Sequence, residues 1–270
     1  MFAVDHSATA LLIKRRFPSV SIVPLLIAVQ AMELAWVGFN YLGLEQTTTA
    51  PTVRSVADIH LAYMPYSHSV ATATAAALAV WWIIERRLNR PALGRAVAVG
   101  VVSHLVLDVA THAPDIALWP GSPFPGLGLG LYSAAPAAAF LVELVYGVLC
   151  WRIYRGSGGL LAVIVAGNLA NISFFFAEIP GPEQLLAGRP MLVVTLVFAQ
   201  IVTMLVMVGW FSGAPRNHPA GRHMSRVVSA NERGSCHRIR SHHDRTRSIC
   251  ARLPAGGTGA FTTAGPATRP

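Results

Sequence analysis

The chain has 270 residues, of which 53% are hydrophobic and only 12% are charged, and its mean hydropathy is +0.50. A soluble domain typically has about 25% charged residues, so this composition excludes an ordinary soluble enzyme and indicates a membrane protein. The net charge of +9 is uneven, since residues 1–213 carry 11 Lys and Arg against 10 acids, whereas residues 214–270 carry 10 Arg against 2 acids. The basic character therefore belongs to the C-terminal segment.

Crossing the hydrocarbon core of a bilayer takes about 20 mostly apolar residues. Six segments meet this requirement fully or nearly, and about the first fifteen residues before them are expected to form a short interfacial helix. The sequence therefore predicts an all-α, polytopic integral membrane helical bundle of about six transmembrane helices, at roughly 22–44, 67–84, 92–110, 132–151, 159–176 and 190–211.

The distribution of Lys and Arg predicts the orientation of these spans. Basic residues cluster before the first span, between the second and third, after the fourth and after the sixth, whereas the other three connections hold only Arg54 and Arg189. Because Lys and Arg mark the cytoplasmic side of a membrane protein, we expect both termini in the cytoplasm and three loops outside.

The C-terminal segment is rich in Arg, Ser, His, Gly and Pro and has no apolar periodicity. We therefore divide the chain into a transmembrane helical domain, 1–212, and a disordered Arg-rich cytoplasmic tail, 213–270. Ten arginines could attract nucleic acid or anionic lipid. A solvated tail is the simpler interpretation, and we predict no specific nucleic-acid partner.

The stretch "SHLVLDVATH", Ser103 to His112, places ionisable side chains in the third predicted span. At 100° per residue, His104, Asp108 and His112 lie within an arc of about 100° on one helix face. Such groups are costly in an apolar setting and often mark functional sites in membrane proteins. A local structural pair between His104 and Asp108 is the alternative.

A fourth polar group comes from "PYSHS", at the start of the second span. In the predicted topology this span begins outside, where the third span ends, so His68 lies at the depth of His104 and His112. Converging imidazole and carboxylate groups are typical ligands of zinc or manganese, and such an ion can activate water for hydrolysis. We therefore predict a metal site at His68, His104, Asp108 and His112, with Asp108 also a candidate general base.

Four further residues could support this site as second-shell partners: Ser67, next to His68; Glu33, in the middle of the first span; Asp115, after the third; and Glu143, in the middle of the fourth. Each acid could instead be a packing element paired with a neighbouring helix. The Pro- and Gly-rich loop after the third span is expected to fold back over the outer mouth of the bundle. There it would act as a lid or merely pack at the interface.

Several motifs resemble a family of multi-pass bacterial proteins labelled membrane-bound metal-dependent hydrolases. They are "YMPYSHSV", "SHLVLDVATHAPDIALWPG", "GLGLGLYSAAPAAAFLVELVYG" and the opening "DHSATALLIKRRFP", and the resemblance covers about residues 1–155. It implies that the main site residues are His68, His104, Asp108 and His112, followed by Asp115. It also adds His6 and Glu33 as polar residues of the opening motif. The predicted orientation conflicts with His6, because it places this residue on the inner side, far from the other histidines. Either the N-terminal segment enters the membrane or His6 is not part of the site.

The sequence thus predicts a protein of the bacterial inner membrane resembling a metal-dependent hydrolase, with its site near the outer face. Membrane lipid would surround it, and its substrate would be an unknown small molecule or, from the depth of the site, a lipid or other amphiphile. The alternative is a non-catalytic multi-pass protein, a transporter or scaffold with buried polar pairs. Clear internal repeats, typical of many transporters, are not visible in the sequence.

Overall fold

A computed structural model describes residues 1–213, so the predicted tail, apart from Gly213, lies outside the described residues. Within residues 1–213 the fold is mostly helical, as predicted, with one antiparallel pair of strands, β1 (Gln46–Thr49) and β2 (Ile59–Tyr63). The α-helices are α1 (Ala3–Arg16), α2 (Ile22–Val29), α3 (Ala31–Tyr41), α4 (Val70–Arg87), α5 (Pro91–Thr111), α6 (Leu131–Ala134), α7 (Pro136–Tyr154), α8 (Gly158–Leu169) and α9 (Pro190–Ser212).

Three of these helices, α5, α7 and α9, are long and apolar enough to cross a membrane. The pair α2 and α3 makes a fourth candidate if it is counted as one span bent by 53°. The six-span prediction is therefore not confirmed. The helix α4 ends in three charged residues, and the 12 residues of α8 rise only about 18 Å, short of a hydrocarbon core of about 30 Å.

The first helix departs most from expectation. Ten of the fourteen residues of α1 are buried, and the helix packs against α2, α5, α7, α8 and α9. Gln30 fastens it there, because its Nε2 donates to the carbonyl of Ala3 at 2.7 Å and to Ser7 Oγ at 3.1 Å. The expectation of an interfacial helix is wrong, since α1 is largely enclosed by five other helices.

The bend between α2 and α3 at Gln30 lies against α5. Gly100 of α5 makes this contact possible, because a Cβ at this position would lie 2.8 Å from the Cβ of Ala28. The last carbonyls of a helix have no partner within the helix. The close packing therefore brings the carbonyl of Val29, at the end of α2, next to the polar face of α5.

Replacing Gly100 with valine is expected to lower the free energy of unfolding by about 1–3 kcal/mol, because α2 and α5 must separate to admit the side chain. Thermal unfolding of the purified protein in detergent measures this. The matched control is Gly38→Ala in α3, where the added Cβ meets no atom within 4 Å. The control should be neutral or stabilising by up to about 1 kcal/mol, and equal destabilisation of both variants would contradict the packing argument.

The loop between α5 and α6 folds back onto the end of α5. The amides of Leu129 and Gly130 donate to the carbonyls of Val109 and His112 at 2.8 and 2.6 Å. On its other side, the loop accepts hydrogen bonds from the first amides of α4, those of residues 70 and 71. The loop therefore ties the start of α4 to the end of α5, and its role as a lid stays a prediction.

Candidate metal centre

Four polar side chains from three parts of the fold meet in the bundle. Glu33 comes from the first turn of α3, His68 from the segment between β2 and α4, and His104 and Asp108 from α5. One ligand atom from each residue lies within 4.8 Å of the other three. We call these four residues the acceptor cluster.

The spacing of the cluster suits a tetrahedral ion. His104 Nε2 lies 3.0 Å from Asp108 Oδ2 and 3.4 Å from Glu33 Oε2. His68 Nε2 lies 3.3 Å from Glu33 Oε2 and 3.6 Å from Asp108 Oδ2. Two ligands at about 2.1 Å from a tetrahedral ion are about 3.4 Å apart. The four measured separations bracket this value.

The proton of the His104 ring points away from the cluster. His104 Nδ1 lies 2.8 Å from the carbonyl oxygen of Val29. Because a carbonyl can only accept, Nδ1 must carry the hydrogen. In the neutral ring, Nε2 then presents its lone pair to Asp108 and Glu33. The bend at the end of α2 therefore fixes the tautomer of His104.

A longer hydrogen-bond chain fixes the tautomer of His68. Ser67 Oγ donates to Glu45 Oε2 at 2.6 Å and lies 2.8 Å from His68 Nδ1. Since the hydroxyl hydrogen goes to the carboxylate, Oγ accepts from Nδ1–H. Glu45 Oε1 also accepts from the amides of Tyr66 and Ser67, at 2.8 Å each. His68 Nε2 is thus left as a lone pair facing the cluster.

With both rings neutral and their protons turned away, the cluster contains acceptors only. His68 Nε2, His104 Nε2 and Asp108 Oδ2 are buried and have no hydrogen-bond partner among the described residues. Buried polar atoms are almost always satisfied, so three such atoms facing one point call for a positive partner. Two imidazoles and two carboxylates are a donor set that fits zinc or manganese.

His112 occupies a different position from the one predicted. Its Nε2 lies 3.8 Å from Asp108 Oδ1, the oxygen that faces away from the acceptor cluster. Its Nδ1 lies 3.6 Å from Asp115 Oδ1. Glu33, predicted only as a supporting residue, lies in the cluster, because the bend of the first span directs α3 toward α5.

His6 lies beside the other histidines. Its Nε2 is 3.2 Å from Asp108 Oδ1, and its ring stacks on that of His104 with centroids 3.9 Å apart. The predicted position of His6 far from the other histidines is therefore wrong, because α1 is buried within the bundle, in agreement with the first of the two alternatives for His6. The amino nitrogen of Met1 also donates to Asp108 Oδ1, at 2.6 Å.

Glu143 and Ser67, both predicted as supporting residues, do not belong to the acceptor cluster. Glu143 accepts from the Tyr132 hydroxyl at 2.5 Å and from the Phe2 amide at 3.4 Å, so it joins α6 and α7 to the start of α1. Ser67 instead contacts the site through His68. Sequence reasoning gave no role to Glu45, although an acid directly after an apolar span was the available signal.

A cavity of about 720 Å³ adjoins the cluster. Glu33, His6, His112 and Asp115 are among its lining residues, together with apolar residues of β2 and α9. The side chain of Glu33 is 21% exposed, whereas those of the other three cluster members are at most 1% exposed. Glu33 is thus the cluster residue that reaches the cavity.

Comparison with known families supports the membrane assignment. A family model described as YdjM inner membrane protein matches residues 9–179, which is more than half of the chain. The chain belongs to the YdjM inner membrane protein family. Comparisons with curated proteins and with solved structures give no match.

The YdjM match includes the whole acceptor cluster and Glu45, and it excludes His6 and α9. The protein is therefore a member of a bacterial inner membrane family, and its own acceptor cluster could hold a metal ion. The description of the YdjM family names a location and no reaction.

Proposed function

We propose that the protein is a metal-dependent hydrolase of the inner membrane whose ion is held by the acceptor cluster. The supporting observation is that the four cluster atoms are all acceptors, with both histidine protons directed elsewhere. A bound ion would polarise a carbonyl or phosphoryl group and favour the ionisation of water.

The buried and the partly exposed residues of the cluster have different proposed roles. His68, His104 and Asp108 are buried and hold the ion. Glu33 reaches the cavity, and the oxygen that it contributes to the cluster is Oε2. We propose that its other oxygen, Oε1, takes a proton from water on the cavity side, which makes Glu33 rather than Asp108 the general base.

The cavity favours an amphiphilic substrate. Along α9 its lining extends from Val193 to Met204, about 16 Å at 1.5 Å per residue. Four lining residues are exposed on the bundle surface, namely Ala170, which directly follows α8, and Leu196, Ala199 and Thr203 of α9. An apolar chain could therefore enter sideways between these helices from the surrounding lipid, with its polar end at Glu33.

The ends of the helices support a site toward the outer face. The basic residues of α1 and α4 lie in their last turns, whereas His6 and His68 lie at or just before their starts. Because basic ends favour the cytoplasm, we propose that these ends and the C-terminus are cytoplasmic. Met1 is buried beside Asp108. We therefore place the basic end of α1, rather than Met1 itself, at the cytoplasmic face.

The direct test is turnover by the purified protein in nanodiscs loaded with zinc or manganese. Amphiphilic phosphodiesters, carboxylic esters and amides are offered in turn. We expect hydrolysis of one class, its loss on chelation, and a fall in kcat of at least about 100-fold for Glu33→Gln. Stoichiometric metal without hydrolysis of any class would favour the non-catalytic alternative, a transporter or scaffold.

Obstructing the lateral opening should affect long substrates selectively. Ala199→Trp is expected to lower kcat/KM at least about tenfold for a long-chain amphiphile and little for its short-chain analogue, because only the long chain needs the space along α9. Turnover of the two analogues measures the ratio. Val206→Trp is the matched control on an exposed, non-lining position of α9, and an equal ratio in both variants would contradict lateral entry.

A further inference from the structure

A pair of acids lies inside the bundle, apart from the acceptor cluster. Asp5 of α1 is buried, and neither of its carboxyl oxygens has a hydrogen-bond partner among the described residues. Its side-chain neighbours are Glu143 of α7 and Asn168 of α8. Gly147, one turn after Glu143, provides the space, because a Cβ at this position would lie 2.9 Å from Asp5 Oδ1. The packing of α1 on α7 therefore brings two buried carboxyl groups together.

The surroundings of this pair do not suit two negative charges. Glu143 accepts hydrogen bonds from the Tyr132 hydroxyl at 2.5 Å and from the Phe2 amide at 3.4 Å. Asp5 accepts none, and no ion pair within residues 1–213 includes either acid. Two neighbouring carboxylates repel each other in a buried site, and one proton held by the pair removes this repulsion.

Other ionisable groups near the pair do not supply a positive charge to it. The amino nitrogen of Met1 donates to Asp108 Oδ1 at 2.6 Å and to Thr111 Oγ1 at 2.9 Å. Tyr146 and Cys150 follow Glu143 on the next turns of α7, and phenols and thiols are neutral at neutral pH. A proton is therefore the positive charge that the pair lacks.

The contacts indicate which of the two acids carries this proton. Glu143 accepts from two donors, as a carboxylate does, and its oxygens have lone pairs for a third. Asp5 accepts from none, so a charge on Asp5 would be buried without compensation. As a neutral acid, Asp5 can donate its O–H hydrogen to Glu143. The pair then has a single negative charge, and three donors surround it.

Tyr132 connects the pair to the cavity. Tyr132 is one of the residues that line the cavity, and its ring centroid lies 6.3 Å from that of His112. Its hydroxyl donates to Glu143 Oε1. Hydrogen bonds therefore lead from the cavity to Tyr132, then to Glu143, and from Glu143 to a protonated Asp5. Asp and Glu side chains within a membrane protein often form proton relays.

We propose that Asp5 is a neutral carboxylic acid at neutral pH and that Asp5, Glu143 and Tyr132 form a proton-binding site connected to the cavity. When a proton arrives from cavity water, the Tyr132 oxygen binds it and the original Tyr132 hydrogen moves to Glu143 Oε1. The O–H bonds of the donor water and of Tyr132 break, new ones form at Tyr132 and Glu143, and Glu143 becomes neutral.

Hydrolysis gives this site a use. Cleavage of an ester or a phosphodiester releases a proton when the product is an acid, and the site can take up that proton from the cavity. This use rests on the proposed function. The bound proton and its exchange with the cavity do not, because they require neither an ion nor a substrate.

The competing arrangement has two ionised carboxylates. In it, the side-chain amide of Asn168 and the positive N-terminal end of α1 stabilise a charged Asp5. One hydrogen of Asn168 Nδ2 is already donated to the carbonyl of Ile164, at 3.1 Å, which leaves one amide hydrogen for the carboxylate. The two arrangements differ in whether Asp5 has an O–H bond.

Infrared spectroscopy of the full chain in nanodiscs tests for this O–H bond, with aspartate labelled with ¹³C at its side-chain carboxyl carbon. We expect the carbonyl stretch of a protonated aspartic acid in the unaltered protein at neutral pH and its loss in Asp5→Asn, which can still donate to Glu143 and should stay monodisperse. Asp58→Asn is the matched control and should keep the band, because Asp58 accepts from the amides of Arg54 and Ser55 as a carboxylate. Absence of the band from the unaltered protein, or its survival in Asp5→Asn, would overturn the proposal.

The rate of deuterium exchange tests the route to the cavity. After transfer to D₂O, the band moves to lower frequency as Asp5 gains deuterium. We expect this shift to be at least about tenfold slower in Tyr132→Phe, because the relay loses its hydroxyl. Tyr146→Phe is the matched control on the neighbouring helix α7, since its hydroxyl lies 2.8 Å from Thr9 Oγ1 and outside the relay. Equal exchange rates in the two variants would overturn the route through Tyr132, whereas absence of turnover would affect the proposed function alone.

Discussion

Purified His104→Ala protein is expected to retain less than about a tenth of the divalent metal bound by the unaltered chain, because it loses one of the four proposed ligands, and even altering the partner of such a ligand weakens binding about 10- to 100-fold. Asp108→Ala should show the same loss or a greater one, since its carboxylate contacts both sides of the site. Elemental analysis of protein purified without chelators measures the bound metal.

A control variant tests whether metal binds outside the acceptor cluster. The tail contains the histidine pair of "SHHD", and His242→Ala with His243→Ala removes it. This double variant should keep the full metal content. Because the loss of His104 also leaves the buried carbonyl of Val29 without a partner, at a cost of about 1–3 kcal/mol, unfolding is followed in parallel. Full metal content in a folded His104→Ala protein would contradict the site.

Glu45→Gln is expected to weaken metal affinity about 10- to 100-fold, the usual effect of altering the partner of a metal-binding histidine. The amide nitrogen of glutamine donates to Ser67 Oγ, which then turns its own hydrogen toward His68 Nδ1. The His68 proton moves to Nε2 and blocks the lone pair that faces the ion. Calorimetric titration with zinc measures the change.

Glu143→Gln is the matched control, because it also alters a buried glutamate but contacts Tyr132 and Phe2 instead of a cluster histidine. Its zinc affinity should match that of the unaltered protein. The Glu45→Gln protein should remain folded, since the glutamine oxygen can still accept from the amides of Tyr66 and Ser67. Unchanged zinc affinity in a folded Glu45→Gln protein would contradict the proposed role of the hydrogen-bond chain.

Helical periodicity predicts the part of the site that one element carries. His104 and Asp108 are four residues apart on α5, so their shared face follows from helix geometry alone. The similar depth of His68 followed from the expected pairing of neighbouring spans, and α4 and α5 do pack against each other. These inferences need only local structure and the order of the helices.

The remaining features depend on tertiary contacts that periodicity does not encode. The burial of α1 rests on Gln30, which donates to the backbone of Ala3 from a different helix. Glu33 enters the cluster because the first span bends at Gln30, and no proline or glycine at that position announces the bend. Glu45 acts through Ser67, two contacts away from the ion position, where spacing in the sequence carries no signal.

X-ray absorption at the metal edge of the purified protein tests the central claim most directly. The account predicts a bound zinc or manganese ion surrounded by nitrogen and oxygen at about 2.0–2.2 Å, with the outer-shell scattering of at least two imidazoles. Both imidazole contributions should disappear when His68 and His104 are replaced together. A metal-free protein, or a first shell of sulfur at about 2.3 Å, would contradict a centre built from Glu33, His68, His104 and Asp108.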